Sequence, residues 1–265
     1  MHRLVTSEVL PTMLTPNAAH VLNMLRDIAQ SGPLPAVGSG SPSVGMTLLR
    51  ALGVDYTSTG KPRIMGIVVT ARRNVGTAPR NRVNLFARVP DWKISACKSS
   101  REIAERFGYD AGSGLRKLYC SVRARHPNSQ GLMLRIDAAC GTLDEVAKIK
   151  SGAVEVARWR LEDLRRRLAE THPESIWVVA NVIERNGIEH FHYRKAVYTG
   201  PPVVERFESL LSEGTVTVDH LIEVRGVSAT EKGPLFKIVP SNIPLLFPAS
   251  VSFDLLATGI AIPHP

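Results

Sequence analysis

Between Lys61 and Arg101 the chain places ten basic side chains and one acid, Asp91. That stretch carries a net +9, which is also the formal charge of the whole protein. The remaining 23 basic and 23 acidic residues cancel. Cations concentrated in one segment predict a site for a phosphate backbone, whereas an even spread of charge would bear only on solubility. Arg72, Arg73, Arg80, Arg82, Lys93, Lys98 and Arg101 are the candidate backbone contacts for double-stranded DNA.

Other groupings carry weaker chemistry. Arg123, Arg125 and His126 fall on the polar face of an alternating segment and suit either solvent or a phosphate. His190 and His192 share one face of a strand, but no third ligand stands at a metal-binding spacing, so two ordinary imidazoles are expected. Asp219 and His220 have no nucleophile partner for acid–base work. The glycines of 38–45 lack both the preceding strand and the following Lys-Ser/Thr of a phosphate loop. Trp92, Trp159 and Trp177 are expected in the core, since no aromatic spacing interleaves the basic stretch. Cys97, Cys120 and Cys140 are far apart and form no CxxC pair, which fits reduced thiols and the cytoplasm. No run approaches the length of a membrane span, and the first residues do not resemble a secretory leader.

These residues need elements to position them. Thr15, Pro16 and the apolar set Val21, Leu22, Leu25 and Ile28 predict a helix over 15–30. The Gly/Pro/Ser-rich stretch 31–43 reads as a linker. A short helix over 44–52 ends at Gly53. IMGIVVT (64–70) is apolar and β-branched, as a doubly buried central strand would be. KLYCSVRAR (117–125) alternates, and GLMLRID (131–137) is expected to pair with it through the intervening turn. Leu161, Leu164 and Leu168 stripe a helix over 160–172, and Asn186-Gly187 turns a hairpin over 176–198. A helix over 203–214 and a strand over 233–239 complete an α/β or α+β fold around a mixed sheet.

In order, VGMTLLRALG, KPRIMGIVVTARR, NLFARVPDWK, KSSREIAERFGY, LYCSVRARHPNSQGL, WRLEDLRRRLAETHPE, FHYRKAVYT, TVDHLIE and KGPLFKIVPSNIPLLFP resemble the MvaI/BcnI restriction endonuclease family. The similarity runs from about residue 43 to residue 248. It implies a PD-(D/E)xK nuclease core, related to the mismatch-repair nicking enzyme MutH, that cuts short GC-rich DNA sites as a monomer with Mg²⁺. It also implies DNA near His220, and sequence readout near Lys232 and Lys237.

The departures sit where the chemistry should be. The family carries a Glu at the place of Leu49 and an Asp at the place of Arg63. Its Glu-x-Lys pair falls on Val68 and Thr70. Mg²⁺ needs oxygen ligands, and residues two apart on a strand would aim together at one phosphate. Val68 offers a cation nothing, and Arg63 reverses the sign of the site while suiting a phosphate.

The expected function is therefore a double-stranded-DNA-binding protein without metal or cleavage, with Arg63 among its contacts. One alternative is an active Mg²⁺ nuclease with a relocated site, its candidate acids being Asp55, Asp91 and Asp137. Another is a partner for an active nuclease or a methyltransferase, docked through the helix at 15–30. The expected division is an N-terminal helix and linker (1–42), a nuclease-like domain (43–248) and a tail (249–265).

Overall fold

The computed structural model describes residues 14–54, 62–74, 82–231 and 233–257. Its α-helices in chain order are α1 (Pro16–Gln30), α2 (Ser43–Ala51), α3 (Ser100–Phe107), α4 (Leu161–Thr171), α5 (Phe207–Ser212) and α6 (Ile243–Leu246). The first strands are β1 (Leu34–Pro35), β2 (Arg63–Ile64), β3 (Ile67–Arg73), β4 (Val83–Ala87), β5 (Tyr109–Asp110), β6 (Leu115–Val122) and β7 (Leu132–Asp137). Next come β8 (Thr142–Ile149), β9 (Gly152–Arg160), β10 (Ser175–Arg185) and β11 (Ile188–Thr199). The last are β12 (Val216–Arg225), β13 (Ser228–Glu231), β14 (Leu235–Ile238) and β15 (Ser250–Asp254).

The chain divides into two compact units, one from stretches 1–78, 172–202 and 247–265 and one from 79–171 and 203–246. The first is built on a mixed sheet ordered β1-β11-β10-β3-β2, with β15 on β11. β3 and β10 run parallel, and the other pairs are antiparallel. The run 64–70 splits, because Met65 and Gly66 adopt positive φ and turn β2 back onto β3. β3 therefore lies next to the two-residue edge strand β2, with β10 on its other side.

Helix α1 starts where the cap chemistry places it: Thr15 Oγ1 accepts the Ala18 N–H, and Pro16 fills the first turn. Ala18, Val21, Leu22, Leu25 and Ala29 are buried against Ile67, Val69, Ile176, Val178 and Phe191. The helix is thus part of this unit's core and presents no free apolar face for docking. Stretch 31–43 is also more than a linker: β1 pairs with β11 at Leu34–Phe191, and the Ala36 N–H bonds Glu189.

The second unit holds a six-stranded sheet ordered β4-β14-β12-β6-β5, with β13 on β12, and a three-stranded sheet β7-β8-β9. The expected pairing of 131–137 with β6 does not form. β7 pairs with β8 instead, and only Ala124 and Leu134 bridge towards β6, in parallel. Stretch 224–231, which has no apolar periodicity of its own, closes as the β12–β13 hairpin. Trp159 and Phe236 meet edge to face at 6.0 Å in this unit's interior.

Candidate nucleic-acid interface

Alternation gives β3 two unlike faces. Ile67 and Val69 face the core, and Arg73 continues that face, its guanidinium 5.3 Å over the Phe191 ring. Val68, Thr70 and Arg72 point the other way. Through the parallel register they stand beside Ser175, Trp177 and Val179 of β10. β11 then adds Thr199, Val197 and Lys195. Arg63 is the antiparallel partner of Val68, so it belongs to the same face.

This face changes character along its length. At one end Val68 and Ser175 are fully buried. Ser175 Oγ lies 2.8 Å from His172 Nδ1, and the Trp177 indole N–H donates to Thr199 Oγ1 at 3.1 Å. The His172 and Trp177 rings stack at 4.9 Å, with Phe247 edge-on to both. At the other end Arg72 and Val179 are half-buried and Lys195 is exposed. Burial without a counter-ion depresses the Arg72 pKa.

The four positions that the family resemblance marks for metal chemistry fall together in this unit but do not fit a divalent cation. Leu49, on α2, is 4 % exposed and Val68 0 %. Arg63 is exposed on β2 and brings positive charge, and Thr70 offers one hydroxyl. Among the described residues no group of three His, Cys, Asp or Glu side chains is placed to hold an ion. His190 and His192 do not pair: His190 Nδ1 is 3.0 Å from the Ile188 carbonyl and His192 Nε2 3.1 Å from that of Ala29.

The basic segment is divided between the units, and much of it is neutralised by acids distant in sequence. Arg73 donates to the Gly40 carbonyl, Ser43 Oγ and Glu189, the last at 2.6 Å. Arg82 bonds Thr217, Ser121 and Asp219. Lys237 approaches the same Asp219 carboxylate at 2.9 Å. Arg101 pairs with Glu105 one helical turn away, and the Lys98 ammonium donates to the Ser95 carbonyl. Lys93 is exposed beside a 460 Å³ cleft that Arg88, Trp92 and Arg160 also line. Arg80 and Lys232 lie outside the described residues.

Arg123, Arg125 and His126 are exposed where β6 ends. Arg125 takes a left-handed φ of 72°, and its Nε–H donates to the Ser212 carbonyl at 3.3 Å. His220 departs from the expected DNA contact, because its ring is fully buried with Nε2 2.9 Å from Glu145. Burial works to lower the His220 pKa, but the equally buried Glu145 carboxylate overrides it and raises the value. Glu231 is held above the usual carboxylate range, mainly by burial, although the Ser100 hydroxyl donates to it. The sequence reading missed Glu145; the one signal was the adjacent acid pair Asp144-Glu145 between the apolar residues Leu143 and Val146 of β8.

The candidate acids for a relocated site serve local structure. Asp91 pairs with Arg160 at 3.0 Å, and Asp137 accepts the Cys140 N–H in the β7–β8 turn. Asp55 lies outside the described residues.

No curated protein matches this chain significantly. Among solved structures it is similar to restriction endonuclease MvaI in complex with its cognate DNA, with a TM-score of 0.74 and 16 % identity. That match covers 95 % of this chain and all of the other. MvaI in the absence of DNA matches at a TM-score of 0.50 and 13 % identity, covering 97 % of this chain and all of the other. Identities this low speak to fold, and they agree with the mixed α+β architecture. Residues 22–247 match the MvaI/BcnI profile, far more than half of the chain, and so the protein belongs to the MvaI/BcnI restriction endonuclease family.

Proposed function

We propose that this protein binds double-stranded DNA and does not cut it at the family's metal position. The observation that carries this reading is the substitution of that position by Leu49, Arg63, Val68 and Thr70, with Leu49 and Val68 buried. A divalent ion needs carboxylate oxygens there, and a guanidinium repels it. The backbone of DNA supplies the matching anion, and the solved MvaI structure holds its cognate DNA.

The contacts favoured are Arg63, Lys93, Lys98, Arg123 and Arg125, which are exposed, and Arg72, which is half-buried with no counter-ion among the described residues. Arg73, Arg82, Arg101 and Lys237 are already engaged by acids, so they contribute less.

Duplex binding measured across salt tests the reading. With about six phosphate contacts, affinity falls by about 10³ between 50 and 200 mM salt. A flat salt response refutes DNA binding. Plasmid cleavage that requires Mg²⁺ or Mn²⁺, and that is abolished by Asp55→Ala, refutes the loss of chemistry.

A further inference from the structure

We propose that Thr70 and Arg72 form a metal-independent oxyanion site on β3, built to hold one phosphate of bound DNA. The inference rests on the DNA-binding reading above and names the side chains that would carry it.

Arg72 and Thr70 are two residues apart on one strand and so share a face, about 6.6 Å between Cα atoms. Arg72 is half-buried, and among the described residues no hydrogen bond or ion pair engages its guanidinium. Its neighbour Arg73, on the opposite face, has three acceptors. Thr70 repeats the pattern: its Oγ1 is buried and has no hydrogen-bond partner among the described residues, although the residue as a whole is partly exposed. Rotation about χ1 is the movement that would bring the hydroxyl to a bound oxyanion.

The surroundings point to an anion. Val179 of β10 stands beside Arg72 and gives the site an apolar wall. Lys195 lies one strand further, a second cation on the same face, with Asp254 of β15 opposite it. A guanidinium carries donors and no acceptor, and a hydroxyl can add one more donor. The group that satisfies both is an acceptor-only, negatively charged oxyanion, and a phosphodiester fits. A cation would be repelled.

Buried polar groups without partners destabilise the protein that carries them. A purely structural residue therefore loses stability when replaced, whereas Arg72 and Thr70 should behave in the opposite way. Arg72→Met and Thr70→Val separate the two cases. Each variant should melt a few degrees above the wild type, about 2–6 °C, while binding duplex DNA more weakly in EDTA. For Arg72→Met the loss should be about tenfold or more, and the slope of log affinity against log salt should become shallower by about one. A lowered melting temperature in both variants overturns the proposal and makes the pair structural. Wild-type duplex binding with an unchanged slope in Arg72→Met overturns the site and leaves the DNA-binding reading intact. No duplex binding by the wild type at any salt removes that reading and the site with it.

Discussion

Placing at position 68 the acid that the family resemblance assigns there should cost this protein its fold before it returns any chemistry. Val68 is 0 % exposed, so Val68→Glu puts a carboxyl where no water reaches. An ionised carboxylate in such a place costs several kcal/mol, and the group escapes by taking up a proton. Holding a carboxyl of ordinary pKa near 4.3 protonated at pH 7 costs about 3.7 kcal/mol. Burying the neutral acid adds about 1–3 kcal/mol. The sum, about 5–7 kcal/mol, rivals the whole stability of an ordinary domain.

The pH dependence isolates the charge. The introduced carboxyl has a folded-state pKa above its unfolded value. Relative stability is therefore whole below the unfolded value of about 4.3 and is lost as pH rises through the folded-state value. At pH 4 the cost should shrink to about 1–3 kcal/mol, the part due to the neutral acid. Val68→Gln, similar in size and uncharged, is the control. Urea unfolding at pH 4 and pH 7 should show the two variants converging in acid and separating by about 3–4 kcal/mol at neutrality. Equal stability of Val68→Glu and Val68→Gln at pH 7 would show that water or a cation reaches position 68. The claim that this pocket is closed to metal would then fall.

Two further outcomes follow from paired charges. His220→Gln leaves the buried Glu145 without its cation and should destabilise by about 3–5 kcal/mol. Because the His220 pKa is raised in the fold, its stabilisation is whole below the unfolded value of about 6.5 and fades as pH rises through the folded value. The gap between variant and wild type in urea unfolding should therefore be larger at pH 6 than at pH 9, and a constant gap would count against the ion pair. Arg73→Ala removes three hydrogen bonds and the contact over Phe191, and should cost about 2 kcal/mol while leaving the salt slope of DNA binding unchanged. A shallower slope would return Arg73 to the DNA-contacting set.

Much of the architecture was legible because its signals are local. Thr15 and Pro16 announce the start of α1, and Asn186-Gly187 turns the β10–β11 hairpin. The Leu161, Leu164 and Leu168 stripe is the buried face of α4. Where the sequence misled, a non-local partner was responsible. Nothing in the glycine- and proline-rich stretch 31–43 announces β1, because its hydrogen bonds come from β11, far along the chain. Nothing in β7 says that it will pair forward with β8, because both candidate partners show compatible strand patterns. The apolar side of α1 was visible, but whether it would meet this chain or another was not.

The charge divides in the same way. The types of side chain at 49, 63, 68 and 70 are fixed by the sequence, and none of them is a carboxylate. The dense run of cations from Lys61 to Arg101 is equally plain to read. Which of those cations remain available was decided by the fold, because counter-ions arrive through tertiary contacts. Glu189 reaches Arg73 and Asp219 reaches Arg82 across more than a hundred residues, whereas Arg72, one position from Arg73 on the opposite face of the strand, meets no acid among the described residues. Local charge density is a property of the chain, but a local field depends on which groups folding brings within a few ångströms.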